Sequence, residues 1–429
     1  MHTNFVSIIT LNYNGKKYLN DFLRSAFLQD YPKNLYEVMV VDNGSTDDSV
    51  DYIEKNFPEV KIVKSKKNLG FGRGNNLGMK HASGDLFLLV NNDTILMEDT
   101  LSSLVDLFNK KKGKVGAVAA KLVLIDSYLP VTIEEAFFSG FTTPEIAEAL
   151  NPYPFIIPHD SGSLFKERVF IPINSELKCG INFKLRIKPF RRNDFKVYMG
   201  NDLIFKGYLK SLTKDFSIDI NLTVNQLDRY RRNLIQNAGN FFFRDGSGRD
   251  RGAMIAASRQ FYEEDVGQYD KEEIVPAFCG AGVLINKKAL EDVGYFDNIF
   301  FMYYEDGDLS FRLREKGWKV IYNPKSVIRH IHAGSSKEWS DFFIFNAERG
   351  RLLFVSKHWP RPKALGQLFK YIIVDTFGIP VYSYFRGNWE KARKRFAVRL
   401  RVCVSVLPAF FIGLFRTGRV KYGDVKLLM

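Results

Sequence analysis

The chain has 429 residues, 45% of them hydrophobic and 26% charged, the balance of a folded protein of two or three domains and not of a disordered one. Its three cysteines, Cys179, Cys279 and Cys403, form no CxxC pair, so neither a zinc ribbon nor a disulfide framework is expected. The net charge is +14, but residues 361–429 hold 14 Lys and Arg against 3 Asp and Glu, so +11 lies in the last 69 residues; a uniformly basic nucleic-acid binder would not look like that, and no nucleic-acid partner is expected.

Residues 5–11 read as a buried strand, preceded by no basic-then-apolar leader, so no signal peptide is expected. A helix over 17–29 follows, with Leu19, Phe22, Leu23 and Phe27 on one face. Then come a strand over 36–42, a helix over 45–56 capped by Ser45, a strand over 60–65, a Gly-rich turn and helix over 70–82, and a strand over 85–90. A helix over 100–112 and a strand over 115–121 close the series. Strands alternating with helices predict a parallel sheet with crossover helices, whose ligands sit beyond the carboxyl ends of the strands, where Asp42 and Asp93 both fall. The pattern breaks after about residue 125. Short apolar runs over 165–173, 179–187, 195–198, 203–209 and 216–222 read as an inserted antiparallel β-sandwich. The α/β pattern resumes with a strand over 277–286, helices over 287–293 and 305–316, strand-like segments over 319–322 and 326–332, and a long helix over 339–358.

Five motifs carry chemistry, and each has a plain structural reading beside the functional one. Asn91-Asn92-Asp93 ends an apolar strand; its carboxylate can hold a hard cation through oxygen, or cap a following helix. Asp42-Asn43-Gly44-Ser45 can accept hydrogen bonds from a nucleobase or ribose, or make a turn and a cap. Gly70-Phe71-Gly72-Arg73-Gly74-Asn75 lets backbone approach a ligand that Arg73 could meet, but it follows the third strand and is not GxGxxG, which disfavours a dinucleotide-binding dehydrogenase. Glu305-Asp306-Gly307-Asp308 opens a helix with three acids; they complement its dipole, or one is a general base for a sugar hydroxyl. His330 and His332 lie on one side of a strand as a metal ligand pair or as structural histidines.

The order of these motifs is more specific than any one of them. Ser7-Ile8-Ile9-Thr10-Leu11-Asn12-Tyr13-Asn14, Asp42-Asn43-Gly44-Ser45-Thr46-Asp47, Asn68-Leu69-Gly70, Asn91-Asn92-Asp93, Gly280-Ala281-Gly282, Tyr304-Glu305-Asp306 and His330-Ile331-His332, in series, strongly resemble family 2 glycosyltransferases, and within them the rhamnosyltransferase-like branch that builds bacterial surface polysaccharides. The resemblance covers about residues 5–125 and 233–358. It implies an α/β GT-A nucleotide-diphospho-sugar transferase fold, a Rossmann-like mixed sheet. It implies an inverting hexosyltransferase that moves a sugar from a nucleotide-diphospho-sugar to a glycan or lipid-linked oligosaccharide. Thr10, Asn12, Asp42, Asn43, Arg73, Asn75 and Asn92 would line the nucleotide pocket. Asp93, with Asn91 in place of the family's first acid and His332 (His330 in reserve), would hold Mg²⁺ or Mn²⁺. Gly280, Ala281 and Gly282 would shape the acceptor side, and Asp306, with Glu305 beside it, would be the base.

The expected domains are residues 1–127 (nucleotide-binding part), 128–232 (the β-sandwich), 233–360 (acceptor and catalytic part) and 361–429. The sandwich resembles carbohydrate-binding modules or serves as a spacer or dimerisation domain. The tail combines Lys391, Arg393, Lys394 and Arg395 with an apolar run over 402–415. That run has 14 residues, short of the roughly 20 a spanning helix needs. The tail therefore reads as a helical anchor on an anionic membrane surface, on the cytoplasmic face, or as a hairpin packed on the enzyme. A sugar-nucleotide nucleotidyltransferase fits poorly, since the first strand leads into Asn12-Tyr13-Asn14-Gly15 and not a Gly-rich turn with a lysine. A polysaccharide-binding protein with a degenerate transferase domain is disfavoured by Asp42, Asp93 and Asp306.

Overall fold

Apolar, β-branched runs separated by amphipathic helices build the nucleotide end of the chain. In order these are β1 (Val6–Asn12), α1 (Lys16–Phe27), β2 (Tyr36–Asp42), α2 (Ser49–Asn56), β3 (Lys61–Lys64), α3 (Phe71–His81), β4 (Leu86–Asn91), β5 (Thr94–Leu96), α4 (Thr100–Lys110) and β6 (Val115–Leu124). After the insertion come β7 (Gly282–Asn286), α5 (Lys287–Val293), α6 (Glu305–Glu315), β8 (Lys319–His330) and α7 (Asp341–His358), then α8 (Arg361–Phe385) and α9 (Trp389–Leu414). The computed structural model describes residues 4–142, 155–160, 165–175, 177–189, 194–208, 215–256, 259–331, 340–385 and 389–415. It divides into a unit of residues 1–122, 237–251 and 269–429 and a unit of residues 123–236 and 252–268. The sandwich unit thus begins a few residues before the expected boundary and takes in a second segment, while residues 361–429 belong to the catalytic unit.

In the first unit the strand order is β3-β2-β1-β4-β7-β6, with β1, β2, β3 and β4 parallel and β7 antiparallel to both neighbours. This is the mixed sheet of the GT-A fold. Leu19, Phe22, Leu23 and Ala26 of α1 and Leu101, Leu104 and Val105 of α4 share one core with Ile8, Val40 and Leu88 of the sheet. α3 lies close on the other face through glycine. A Cβ on Gly78 would stand 2.7 Å from both Ile9 and Val41, and one on Gly74 would meet Leu11. Gly74 and Gly78 therefore seat the helix on the sheet, while Gly70 and Gly72 let Phe301 and Phe296 approach it.

Some elements differ from expectation for visible reasons. α2 starts at Ser49, because the Ser45 hydroxyl is taken by Asn12 Nδ2 and the Asn14 N–H and caps nothing. Asp93 precedes no helix: Thr94–Leu96 pairs antiparallel with β8 first. The segments over 319–322 and 326–332 are one strand, Lys319–His330.

The second unit is built from antiparallel strands. Asp202–Tyr208, Asp194–Met199, Ser127–Glu134, Phe165–Ile173 and Phe155–Asp160 form one sheet in that order; Phe216–Leu222, Ile181–Pro189 and Ala136–Thr142 form another. Alternate residues of both point into one core, such as Leu129, Val131 and Ile133 against Phe183, Leu185 and Ile187.

The tail is a helical hairpin on α7. Val398, Val402, Val406 and Phe410 recur at helical spacing and are buried, and Val402, Val406 and Phe410 share a core with Leu352, Phe354 and Trp359. Polar contacts fix the packing: Tyr371 donates to Glu348, Arg399 Nε donates to Glu348 Oε1 at 3.3 Å, and Arg399 Nη1 donates to the Asp375 carbonyl at 2.6 Å. The opposite side exposes Ile373, Phe377, Val381, Phe385, Val404 and Ile412. Both helices are long and apolar enough to cross a membrane, by length and composition. Counting only the uncharged run of α9 underestimated them.

Candidate active site

β1, β2 and β4 end in register. Asn12 is paired with Asp42, and Leu11 with Asn91, so three polar carboxyl-terminal residues arrive side by side. Asn12 Nδ2 donates to Ser49 Oγ at 2.9 Å and to Ser45 Oγ at 3.2 Å, and its Oδ1 accepts from Asn92 Nδ2 at 2.8 Å. Asn14, in the left-handed region at φ 52°, accepts the Thr46 N–H on Oδ1 at 2.7 Å. The β1–α1 loop is thus tied to the β2–α2 loop and to the end of β4. Asn43 secures the next loop: its Oδ1 accepts the Leu69 N–H at 2.9 Å and its Nδ2 donates to Asn68 at 3.0 Å.

The nucleotide-side residues divide into two groups. Asn12, Asp42, Asn43 and Asn92 converge at the strand ends. The other three are committed elsewhere. Thr10 is wholly buried within β1, and its hydroxyl makes no hydrogen bond within the chain. Arg73 Nε donates to the Asn298 carbonyl at 2.9 Å. Asn75 turns back on its own helix, donating to the Phe71 carbonyl at 3.0 Å.

Antiparallel pairing of His330 with Thr94 brings β8 beside the end of β4. His330 Nε2 lies 3.1 Å from Asp93 Oδ1 and 3.3 Å from Asn91 Nδ2. The histidine at Asp93 is therefore His330; His332 lies outside the described residues. Asp93, His330 and the Asn91 amide offer oxygen and imidazole nitrogen, a donor set suited to Mg²⁺ or Mn²⁺. Among the described residues no group of three or more His, Cys, Asp or Glu is arranged to hold a metal ion by itself.

β7 connects this end to the acids of α6. The Asn91 N–H donates to the Ala281 carbonyl at 3.4 Å, and the Gly280 N–H donates to Asp306 Oδ2 at 3.2 Å. The Gly307 N–H donates to Asp306 Oδ1 at 2.7 Å. Gly280 is required here, since a Cβ would stand 2.9 Å from the Phe71 ring. Burial pushes the Asp306 carboxyl up to about 6; the Gly307 and Gly280 N–H groups pull against this, and the charge of Asp250 adds to it. Glu305 is buried, with Oε2 unpartnered, and burial together with the Asp306 charge pushes it well above the usual carboxylate range. The two acids are not interchangeable: Asp306 is partly exposed and takes two backbone N–H groups, whereas Glu305 is buried and raised further above its ordinary range.

The turn into α6 is strained. Tyr303 and Tyr304 have φ values of 68° and 71°, left-handed conformations that cost about 1–3 kcal/mol each in residues other than glycine. Packing over-determines them: Tyr303 stands edge-on to Phe343, and Tyr304 packs on Phe242 and Phe354. α7 approaches so closely that a Cβ on Gly350 would lie 2.9 Å from the Tyr304 ring. Sequence reading missed Gly350, Asp250 and the Asn14–Ser45–Ser49 set; only Asn14-Gly15 carried a turn signal that could have found any of them.

Residues 7–165 match the family described as Glycosyl transferase family 2, and residues 222–349 match Glycosyl transferase family group 2. The chain carries family 2 glycosyltransferase domains. It is a transferase, similar to a dolichyl N-acetyl-alpha-D-glucosaminyl phosphate 3-beta-D-2,3-diacetamido-2,3-dideoxy-beta-D-glucuronosyltransferase of Methanococcus voltae. The two are 25% identical over 226 residues, 50% of this chain and 70% of that one. It is also similar to the poly(ribitol-phosphate) beta-N-acetylglucosaminyltransferase TarS of Staphylococcus aureus, 37% identical over 98 residues, 22% of this chain and 17% of the relative. Among solved structures, GalNAc-T7 with UDP, GalNAc and Mn²⁺ matches with a TM-score of 0.47 at 12% identity, covering 83% of this chain and 48% of that one.

A base at Asp306 would work only when ionised, so with Asp306 in that role turnover by the full-length chain should rise with pH through an inflection near about 6 and level off above it. A profile flat across that range would contradict the assignment.

Proposed function

We propose that the chain is an inverting glycosyltransferase of the rhamnosyltransferase-like branch. It moves a sugar from a dTDP-rhamnose-like or UDP-linked donor to a hydroxyl of a glycan or lipid-linked acceptor in bacterial surface polysaccharide synthesis. The observation that carries this reading is the short path from Asp93 to Asp306: Asn91, beside Asp93, bonds the Ala281 carbonyl, and neighbouring Gly280 bonds Asp306. A donor site and a base then face each other across one small loop. The printed name of the Methanococcus relative, with its dolichyl-linked phosphate acceptor, supports a lipid-linked acceptor.

Asp42 and Asn12 receive the nucleoside at the strand ends. Asp93 and His330, with Asn91, would hold Mg²⁺ or Mn²⁺ at the donor site. When bound, the cation offsets the charge of the departing diphosphate. Asp306 accepts the proton of the acceptor hydroxyl on a carboxylate oxygen. The acceptor's hydroxyl oxygen forms its bond to the anomeric carbon as the bond from this carbon to the diphosphate oxygen breaks, on the opposite face. The electron pair leaves with the nucleoside diphosphate, and the proton remains on Asp306. A base of this kind contributes about 10²–10⁴-fold. Gly280 and Gly307 aim the carboxylate. Glu305, buried beside it, is disfavoured as a carrier of negative charge, which favours the charge on Asp306.

The helical tail supports attachment to the cytoplasmic face of an anionic membrane. Its inner side is occupied by α7, and its outer side offers Ile373, Phe377, Val404 and Ile412, with the basic cluster of residues 391–395 at the start of α9. Apolar groups would enter the headgroup boundary while the cations meet lipid phosphates.

Asp306→Asn should bind nucleotide sugar as the natural chain does, by calorimetry, yet lose turnover by about 10²-fold or more; near-normal turnover would sink the mechanism. Ile373→Glu/Phe377→Glu/Ile412→Glu changes only exposed positions of the tail. It should keep its melting temperature and lose co-sedimentation with phosphatidylglycerol vesicles; unchanged co-sedimentation would contradict the membrane contact.

A further inference from the structure

The third acid of the α6 motif does a different task from the first two. An α-helix turns about 100° per residue, so Asp308 points roughly 200° away from Asp306, to the far side of the same first turn. There it is wholly buried, and the side chains of Arg312, Lys357 and His358 converge on its carboxylate. Arg312 Nε donates to Oδ2 at 2.8 Å; Lys357 Nζ lies 2.5 Å and His358 Nε2 2.9 Å from Oδ1. Burial pushes the Asp308 carboxyl up, but Arg312, His358 and Lys357 outweigh it and hold it well below the usual range.

Each of those side chains is also fixed to something else. Arg312 spreads its other nitrogens over the Val293, Gly294 and Tyr295 carbonyls at 2.8–2.9 Å. Lys357 reaches Asp297 Oδ2 at 2.6 Å, and His358 Nδ1 lies 3.4 Å from Glu315. One carboxylate therefore joins the first turn of α6 to the end of α5, to the loop that follows it, and to α7. That loop goes on to the α3 N-terminus, where the Phe301 carbonyl accepts the Phe71 N–H at 2.8 Å. The strained turn at Tyr303 and Tyr304 is held against the same α7 at Gly350.

We propose that Asp308 is a positioning residue of the transfer reaction: by drawing Arg312, Lys357 and His358 together behind α6, it sets the first turn of that helix and so the aim of Asp306 at the acceptor hydroxyl. This rests on reading Asp306 as the base. Asp308 touches no reacting atom. Its removal frees α6 to shift against α7, and a displacement near 1 Å at a reacting group costs on the order of 10²-fold in rate.

The test uses the full-length chain, with active sites counted by titration with whichever of UDP, dTDP and GDP raises its melting temperature most. Asp308→Asn should lower kcat per nucleotide-binding site by roughly 10–100-fold, with donor and acceptor KM within about twofold. A purely structural role would reduce the number of sites and leave kcat per site unchanged, and that result would overturn the proposal. If Asp308→Asn does not fold, Lys357→Met and His358→Gln keep the Asp308–Arg312 pair; each should lose at least about threefold in kcat per site, and no loss in either would overturn the proposal. The double variant Asp306→Asn/Asp308→Asn should turn over no more slowly than Asp306→Asn alone, since Asp308 acts through Asp306. A further tenfold loss in the double variant would overturn the proposal, whereas full activity of Asp306→Asn alone would instead remove the base assignment on which it rests.

Discussion

The register of three parallel strands is the constraint on which the site depends. β1, β2 and β4 stop within one residue of the same level, Asn12 beside Asp42 and Leu11 beside Asn91. Buried strands of Val, Ile and Leu hold that level, since a one-residue slip would turn their apolar side chains to the opposite face of the sheet. Core packing thus fixes the polar ends as firmly as it fixes the core. Asn12 uses that level: it bonds Ser45, Ser49 and Asn92 and ties three loops into one platform.

The second half of the site is made by antiparallel additions to the same sheet. β7 lies along β4 and delivers Gly280 and Ala281; β8, through β5, delivers His330. Charge is distributed with the same economy. Arg312 of α6 and Lys357 of α7 gather on Asp308, while Asp306 takes the backbone N–H groups of Gly280 and Gly307. A carboxylate without a cation partner in a desolvated site keeps the basicity that a sugar hydroxyl requires. The large positive charge of the chain plays no part there, since most of it lies in the C-terminal hairpin.

The nucleotide half was legible in the sequence because its signals are local: apolar runs of strand length, amphipathic helices, and a polar residue at each strand end. Asp42 and Asp93 were placed at strand ends that way, and Asn12 came with the family resemblance. Arg73 and the glycines of α3 have contacts that local reading does not show. Gly74 and Gly78 seat a helix on a sheet, and Arg73 reaches a carbonyl 225 residues further along, neither of which any spacing announces. His330 stands at Asp93 because strand pairing with β5 sets its side, a partner invisible from the histidine itself. Gly350 and the Asp308 cluster were out of reach for the same reason, being contacts between helices that only the fold brings together. The tail hid its length because charges interrupt its apolar residues in sequence while falling on particular faces of the helices.

The hairpin and the catalytic residues share α7. Its Leu352, Phe354 and Trp359 form a core with α9, and its Gly350, Lys357 and His358 support the turn and helix that carry Asp306. Whatever holds the tail therefore bears on the element behind the base. The central claim is that a donor held at the strand ends is displaced in one step by an oxygen that Asp306 deprotonates. Proton NMR of the sugar linkage formed by the full-length chain tests it most directly. The account predicts a product whose anomeric configuration is opposite to that of the donor; retained configuration would contradict a single displacement with Asp306 as base.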